Sequence, residues 1–541
     1  MARTLTPRAV QHALHSDEPV AVIDIREPLD FSEGHVPEST LVPRRVLESR
    51  LPVVVPNQHA PVILCDQSGE RGHRDASWLA TLGYDDVSSL EGGMDAWIDA
   101  GFETVERQDG VYGTAFNYPS KAFGEQVQVT RGVAQIQPDE LQALLDDDER
   151  SVVVTDVRTP AEYQDNTIPG AYNVEGVDLS LYAGNLRDSD QTLVVNCAGR
   201  TRSIIGAATL EALGFEDVYE LENGTMGWEL AGHALESGAG RHVRDIDIPD
   251  GSREELLGRV DALLDEQGVP RLSVDEFHTL LDDPGEVVYA IDVRTQEEYE
   301  TAHIPETVSV PGGQAIQTAD DHIGVRNGTI VFVSDDRIRS GITAYWFAEM
   351  GYPAVAVLDD GLNGWTDVGL PLETGPAGNE PLRWEAVTEM VSSLGVAELG
   401  GLLDSATPVV IDVGTSSQYE VGHVPGATWV PRYHLEQWLA ERPGRDGPYV
   451  LTCPDGQVST YAAAALTREH GDAELRVLDG GVAAWDAAGR SLEHGTDGMA
   501  YEPRDVVPKP YHQGEWAKQA YLDWETTLGE AFAEQPSGTD E

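Results

Sequence analysis

The sequence predicts an α/β protein built from four tandem copies of one unit, each a mainly parallel sheet flanked by helices, followed by a C-terminal helical tail. Three observations carry this reading. Four segments of the 541-residue chain repeat one order of landmarks. Within each segment, short apolar strand-like runs alternate with helical patterns, as parallel α/β units require. Runs such as Thr192-Leu193-Val194-Val195-Asn196 lack the polar alternation of a one-sided strand, as expected where both faces are covered.

The first landmark is an apolar strand ending in Asp24, Asp156, Asp292 or Asp412, followed two residues later by Arg26, Arg158, Arg294 or Gly414. A turn at Pro37, Pro169, Pro305 or Pro425 comes next. A second apolar strand then runs into a polar loop and an alanine-rich helix that ends near Gly83, Gly214, Gly351 or Gly471. Each copy closes on a glycine-bearing turn and a tryptophan: Trp97, Trp228, Trp365 or Trp485. These landmarks place domains at residues 1–108, 132–238, 268–374 and 390–493, with the tail at 494–541. The linker at 252–264 has its own helical pattern. In the tail, Trp516, Tyr521 and Trp524 lie at roughly helical spacing, a face expected to pack on a domain.

The formal net charge is −59, with lysine confined to Lys121, Lys509 and Lys518. An acidic surface this strong opposes nucleic acid and anionic membranes. Its spread along the whole chain reads as adaptation to a salty, halophilic cytoplasm. An ordinary acidic protein is the plainer alternative. No apolar run approaches the roughly 20 residues of a membrane helix, and the first residues lack a secretory signal, so a cytoplasmic setting is expected. Cys65, Cys197 and Cys453 are odd in number and far apart, which is neither a disulfide framework nor metal-ligand spacing. No cofactor is implied, and the sequence leaves the oligomeric state open.

Ligands of parallel sheets sit beyond the carboxyl ends of the strands. There, Cys197-Ala198-Gly199-Arg200-Thr201-Arg202 joins a strand to a helix. A thiol at a helix N-terminus faces unpaired N–H groups and the positive dipole end, and a curled loop makes an anion nest. Arg200 and Arg202 add positive charge, so the thiol is expected to fall from about 8.5 toward neutrality.

The aspartate–x–arginine strand end, the Ile168-Pro169-Gly170-Ala171 turn, the Cys197-to-Ser203 loop and the closing Gly227-Trp228 turn resemble the rhodanese family. Four such domains cover most of the chain, and the second matches most fully, departing at Asn166-Thr167 where the family often has Gly-His. The resemblance implies a thiosulfate or 3-mercaptopyruvate sulfurtransferase working by double displacement. Cys197 takes sulfane sulfur from a small anionic donor as a persulfide and passes it to a thiol, cyanide or protein acceptor. The loop Ala198, Gly199, Arg200, Thr201 and Arg202 would hold the donor. Arg158 is either a further substrate contact or the partner of a nearby carboxylate, and Asp156 organises the loops.

The siblings are less complete. Ser334 replaces the nucleophile in the third copy, which keeps Arg294, Arg337 and Arg339 and could still bind an anion. In the fourth, Cys453 is a second candidate nucleophile, but Val458 and Gly414 replace arginines and Asp455 adds negative charge. In the first, Asp66 falls at the nucleophile position, while Cys65 begins a Cys-x5-Arg loop ending at Arg71. That loop resembles dual-specificity cell-cycle phosphatases and opens a phosphatase or arsenate reductase alternative; burial of Cys65 in its strand is the competing reading. A mainly non-catalytic tandem binding protein is the third alternative.

Overall fold

The computed structural model describes residues 3–16, 18–108, 110–147, 149, 151–186, 191–243, 250–376, 381–405, 408–442, 448–470 and 475–533. Gly471 lies outside them. Four five-stranded sheets share one strand order, 1-5-4-2-3 in the sequence order of each sheet's own strands, and every strand pair within them is parallel. In the second, the spatial order is Gln135–Ile136, Val218–Leu221, Thr192–Asn196, Val152–Asp156 and Tyr172–Asn173.

Register explains where the sites fall. Val152–Asp156 pairs with Thr192–Asn196 residue for residue, so Asp156 lies opposite Asn196 and the loop at Cys197 begins beside the aspartate. The same register sets Asp292 opposite Val333 and Asp412 opposite Thr452. It sets Asp24 opposite Cys65, so Cys65 occupies the position of Asn196, one residue before the nucleophile position.

Local chemistry fixes the flanking helices. Thr159 and Glu162 form a capping box at helix Pro160–Asp165, and Thr295 with Glu298 and Thr415 with Gln418 repeat it. Each closing tryptophan is buried and uses its indole N–H to pin the departing chain. Trp228 donates to the Ala234 carbonyl at 3.0 Å, and Trp97, Trp365 and Trp485 donate to Glu103, Pro371 and Ser491.

The domains group as two compact units rather than in sequence order. One unit holds residues 3–16 and 20–106 with 381–507. There Arg432 donates to both carboxylate oxygens of Glu48, at 2.6 and 2.7 Å, joining the fourth domain to the first through a buried pair. The other holds 107–378 with the chain from 508 onward. There Arg339 of the third domain meets Asp178 of the second at 3.1 Å, and the Trp346 indole donates to Thr209 Oγ1 at 2.8 Å.

The linker helix runs Asp250–Gln267, longer than the sequence pattern suggested. The tail divides. Residues up to Val507 stay with the fourth domain, bridging Trp429 to Met499. Gly495 and Gly498 there adopt φ of +94° and +92°, Pro503 and Pro508 oppose a continuous helix, and Pro510 opens a short 3-10 turn, Pro510–His512. The tail's α-helix is Glu515–Ala533, packed along Tyr118–Arg131. Tyr521 is buried in that packing, whereas Trp516 remains 57 % exposed. Among the described residues no helix is long and apolar enough to cross a membrane.

Candidate active site

Cys197 follows strand Thr192–Asn196 and precedes helix Thr201–Ala212. The loop is anchored from the next turn. Thr225 N–H donates to the Cys197 carbonyl at 2.9 Å and Met226 N–H to that of Ala198 at 3.1 Å. Gly224 makes this possible: its φ is +55°, and a Cβ there would stand 2.3 Å from the Cys197 carbonyl oxygen. The thiol lies 3.4 Å from the Ser203 hydroxyl, which is 2.8 Å from the Arg200 carbonyl and 3.0 Å from Glu220 Oε2.

The structure departs from the expected electrostatics. Cys197 is only 2 % exposed, and this burial pushes its thiol up rather than down. Arg202, the Ser203 hydroxyl and the N–H groups of Ser203 and Gly199 act in the opposite direction without overcoming it. Arg202 is not a free charge either. It donates to both oxygens of Glu162, at 2.9 and 3.0 Å. Burial disfavours the Glu162 carboxylate, yet Arg202 holds it well below the usual range.

The other two arginines are bound to carboxylates. Arg200 donates to Glu125 of helix Tyr118–Arg131, at 2.5 and 2.9 Å, and to Asn223 at 3.4 Å. Arg158 folds back on Asp156 with contacts of 2.7–3.2 Å and also donates to Asn166. Asn166 therefore does more than replace the family's glycine: it takes up the far side of the guanidinium. Ala198, Gly199 and Thr201 are all buried in the loop.

Sequence reasoning missed what covers the loop. Helix Glu515–Ala533 brings Glu525 so close that a Cβ on Gly199 would lie 3.1 Å from Glu525 Oε2. Tyr521 donates to Glu525 Oε1 at 3.1 Å and Thr201 Oγ1 lies 3.5 Å from it, while Glu525 Oε2 has no hydrogen-bond partner among the described residues. Burial raises Glu525 to about 7, with Lys121 opposing and Glu125 adding to the rise. Lys121 is itself lowered to about 8 by burial and donates to the carbonyls of Gly113 and Phe116, at 2.6 and 2.7 Å. The aromatic spacing of the tail signalled a packed helix, but nothing in it specified which loop the helix would cover.

The sibling loops differ in kind. Ser334 donates to the Asp336 carbonyl, and its Oγ lies 3.0 Å from Ser340 Oγ. Arg294, Arg337 and Arg339 are all occupied by carboxylates, Asp292, Asp261 and Glu298 among them, so the anion site expected there has no uncommitted guanidinium. Cys453 lies 3.6 Å from Asp455 Oδ1 and 3.5 Å from Ser459 Oγ, and burial pushes its thiol up to about 11. Cys65 is fully buried in the core with Val22, Ile63 and Trp97, its thiol well above the ordinary value through burial and Asp24. Arg71 donates to Glu436 at 2.7 Å, and Asp66 accepts from the Arg71 N–H at 3.0 Å. The phosphatase alternative therefore has its cysteine in the sheet and its arginine in an ion pair.

Comparison with known proteins gives a consistent picture. A family model described as Rhodanese-like domain matches residues 6–100, 137–231, 273–367 and 395–488. The crystal structure of a thiosulfate sulfurtransferase from Pseudomonas aeruginosa is 34 % identical, covers 98 % of both chains and superposes with a TM-score of 0.88. Single-domain relatives are also similar. The thiosulfate sulfurtransferase GlpE of Pseudoalteromonas translucida is 30 % identical over 95 residues, 18 % of this chain and 89 % of that protein. A sulfurtransferase of Allochromatium vinosum is 29 % identical over 105 residues, 19 % and 96 % of the two chains.

Proposed function

Because the chain belongs to the rhodanese family and is similar to thiosulfate sulfurtransferases, we propose that it transfers sulfane sulfur through a persulfide on Cys197. One observation carries the assignment. Among the four loops, Cys197 alone combines a cysteine at the nucleophile position with an arginine acting on its thiol.

In the proposed cycle the Cys197 thiolate attacks the outer sulfur of thiosulfate. A new S–S bond forms to Cys197, the donor's S–S bond breaks, and sulfite leaves with the electron pair. A thiolate or cyanide then attacks the outer persulfide sulfur, and the Cys197–sulfur bond breaks to restore the thiolate. The N–H groups of Gly199 and Ser203 and the charge of Arg202 stabilise negative charge on sulfur, while Ala198 and Thr201 shape the loop. Arg158 and Arg200 act as positioning residues through Asp156 and Glu125. Domain limits of 1–108, 132–238, 268–374 and 390–493, and a cytoplasmic setting that keeps the free cysteines reduced, belong to the same proposal.

The test is thiocyanate formation from thiosulfate and cyanide in wild type, Cys197→Ala, Cys453→Ala and Cys65→Ala. Loss in Cys197→Ala alone supports the reading. Loss in Cys453→Ala moves the chemistry to the fourth domain, and phosphatase or arsenate reductase activity lost in Cys65→Ala would replace it.

A further inference from the structure

The four domains contain an internal comparison at their strand-end aspartates. In three of them the aspartate holds a guanidinium from two residues on. Arg26 Nη2 lies 2.7 Å from Asp24 Oδ2 and 2.7 Å from the Gly34 carbonyl, and its Nη1 lies 3.0 Å from Gln67. Arg294 repeats this with Asp292 at 2.6 Å, the Ala302 carbonyl at 2.7 Å and Asp335 at 3.0 Å. Arg158 does so with Asp156 at 2.7 Å and with Asn166.

The fourth domain keeps the receptor and lacks the cation. The backbone turn is the same: Gly414 N–H donates to Asp412 Oδ1 at 2.8 Å, as the Arg158 N–H does to Asp156 at 3.1 Å. Gly414 has no side chain to offer, and Asp412 is 2 % exposed with no salt bridge among the described residues. In place of the arginine there is a pocket of about 400 Å³ lined by Asp412, Gln418, Gly422, Pro454, Asp486 and Leu492. Gly422 is the helix C-cap corresponding to Gly34, Asn166 and Ala302, whose carbonyls accept from the arginines. Pro454 follows Cys453 as Gln67 follows Asp66 and Asp335 follows Ser334.

We infer that this pocket is a binding site for a small molecule bearing a guanidinium or primary ammonium group, which takes the place the sibling arginines fill and lies beside the Cys453 loop. The volume is in the range of small-ligand sites, and its apolar wall with one convergent buried carboxylate fits a cationic head on a short organic stem. A planar guanidinium satisfies both the carboxylate and the cap carbonyl, as in the siblings, so it should bind more tightly than an ammonium ion. A resident metal fits less well: among the described residues no three His, Cys, Asp or Glu side chains gather to ligate one. The site does not depend on the chemistry at Cys197.

Calorimetric titration of the full chain at pH 8 tests the inference, with methylguanidinium, methylammonium and acetate as probes. Burial raises Asp412 to about 7, so it is ionised at that pH. Saturable methylguanidinium binding is expected, weaker by about tenfold or more in Asp412→Asn. It should be abolished in Gly414→Arg, where a tethered guanidinium competes for the same place. The two variants check each other: Asp412→Asn is isosteric, whereas the arginine Cβ would sit 2.9 Å from Pro454 Cδ and needs that ring to shift. No saturation in wild type, undiminished binding in both variants, or acetate binding as tightly as methylguanidinium would overturn it.

Discussion

Arg202 of the Cys197 loop is clamped by Glu162, its two guanidinium nitrogens donating at 2.9 and 3.0 Å to the two carboxylate oxygens. The arginine that favours the Cys197 thiolate is thereby paired with a carboxylate. Glu162→Gln should leave the cation unopposed and bring Cys197 to its thiolate at lower pH. The rate of iodoacetamide labelling at Cys197, read by peptide mass spectrometry, should then climb at lower pH than in wild type. An unshifted profile would remove Arg202 from the thiol's electrostatics. The variant should also lose about 1–3 kcal/mol of stability in urea unfolding, because a largely buried guanidinium loses its partner.

Arg158 is held by Asp156 and Asn166 on every side described. The fourth domain shows that the fold tolerates its absence, since Gly414 stands at that position. Arg158→Gly should therefore fold with a stability loss of about 1–3 kcal/mol. It should change KM for thiosulfate by less than about twofold. A tenfold rise in KM at unchanged stability would make Arg158 a substrate contact instead.

Glu525 offers a pH test of the covering helix. Its folded-state value of about 7 lies above the ordinary 4.5, so the folded protein binds its proton more tightly than the unfolded chain does. The stabilisation is fully present below about 4.5 and is lost as pH rises through about 7. Glu525→Gln should match wild type near pH 4 and exceed it at pH 8 by about 3 kcal/mol. Thermal unfolding of both proteins at the two pH values measures this. A variant less stable than wild type at pH 8 would mean that the carboxylate itself holds the helix down.

How much of this was legible in the sequence follows from what each feature depends on. The four sheets were legible because apolar runs and turn residues repeat locally, as did Trp228 and its three counterparts. The Cys197 loop was legible because strand, loop and helix adjoin in sequence. Its electrostatics were not. Glu125 lies 75 positions from Arg200 and Glu525 lies 324 from Thr201, and no local pattern announces such partners. Arg200 and Arg202 in the loop suggested a cationic site; each is matched by a carboxylate, Glu125 or Glu162, that only folding brings near. Cys65 was undecided in sequence because a one-residue shift separates strand end from loop, and the pairing of Asp24 with Cys65 supplies that register.

The net charge of −59 should repel an anionic donor at low salt. Activity with thiosulfate is expected to rise with ionic strength and then level off as screening shortens to about 3 Å near 1 M. Steady-state rates across a potassium chloride series check it, and a steep fall from the lowest salt would contradict it.

The central claim is that Cys197 carries the transferable sulfur. Incubation with thiosulfate, removal of excess donor and peptide mass spectrometry would locate the added atom. A gain of one sulfur on the Cys197 peptide, removed by cyanide with equal release of thiocyanate, is the predicted result. Sulfur found on Cys453 or Cys65 with Cys197 unmodified would contradict it.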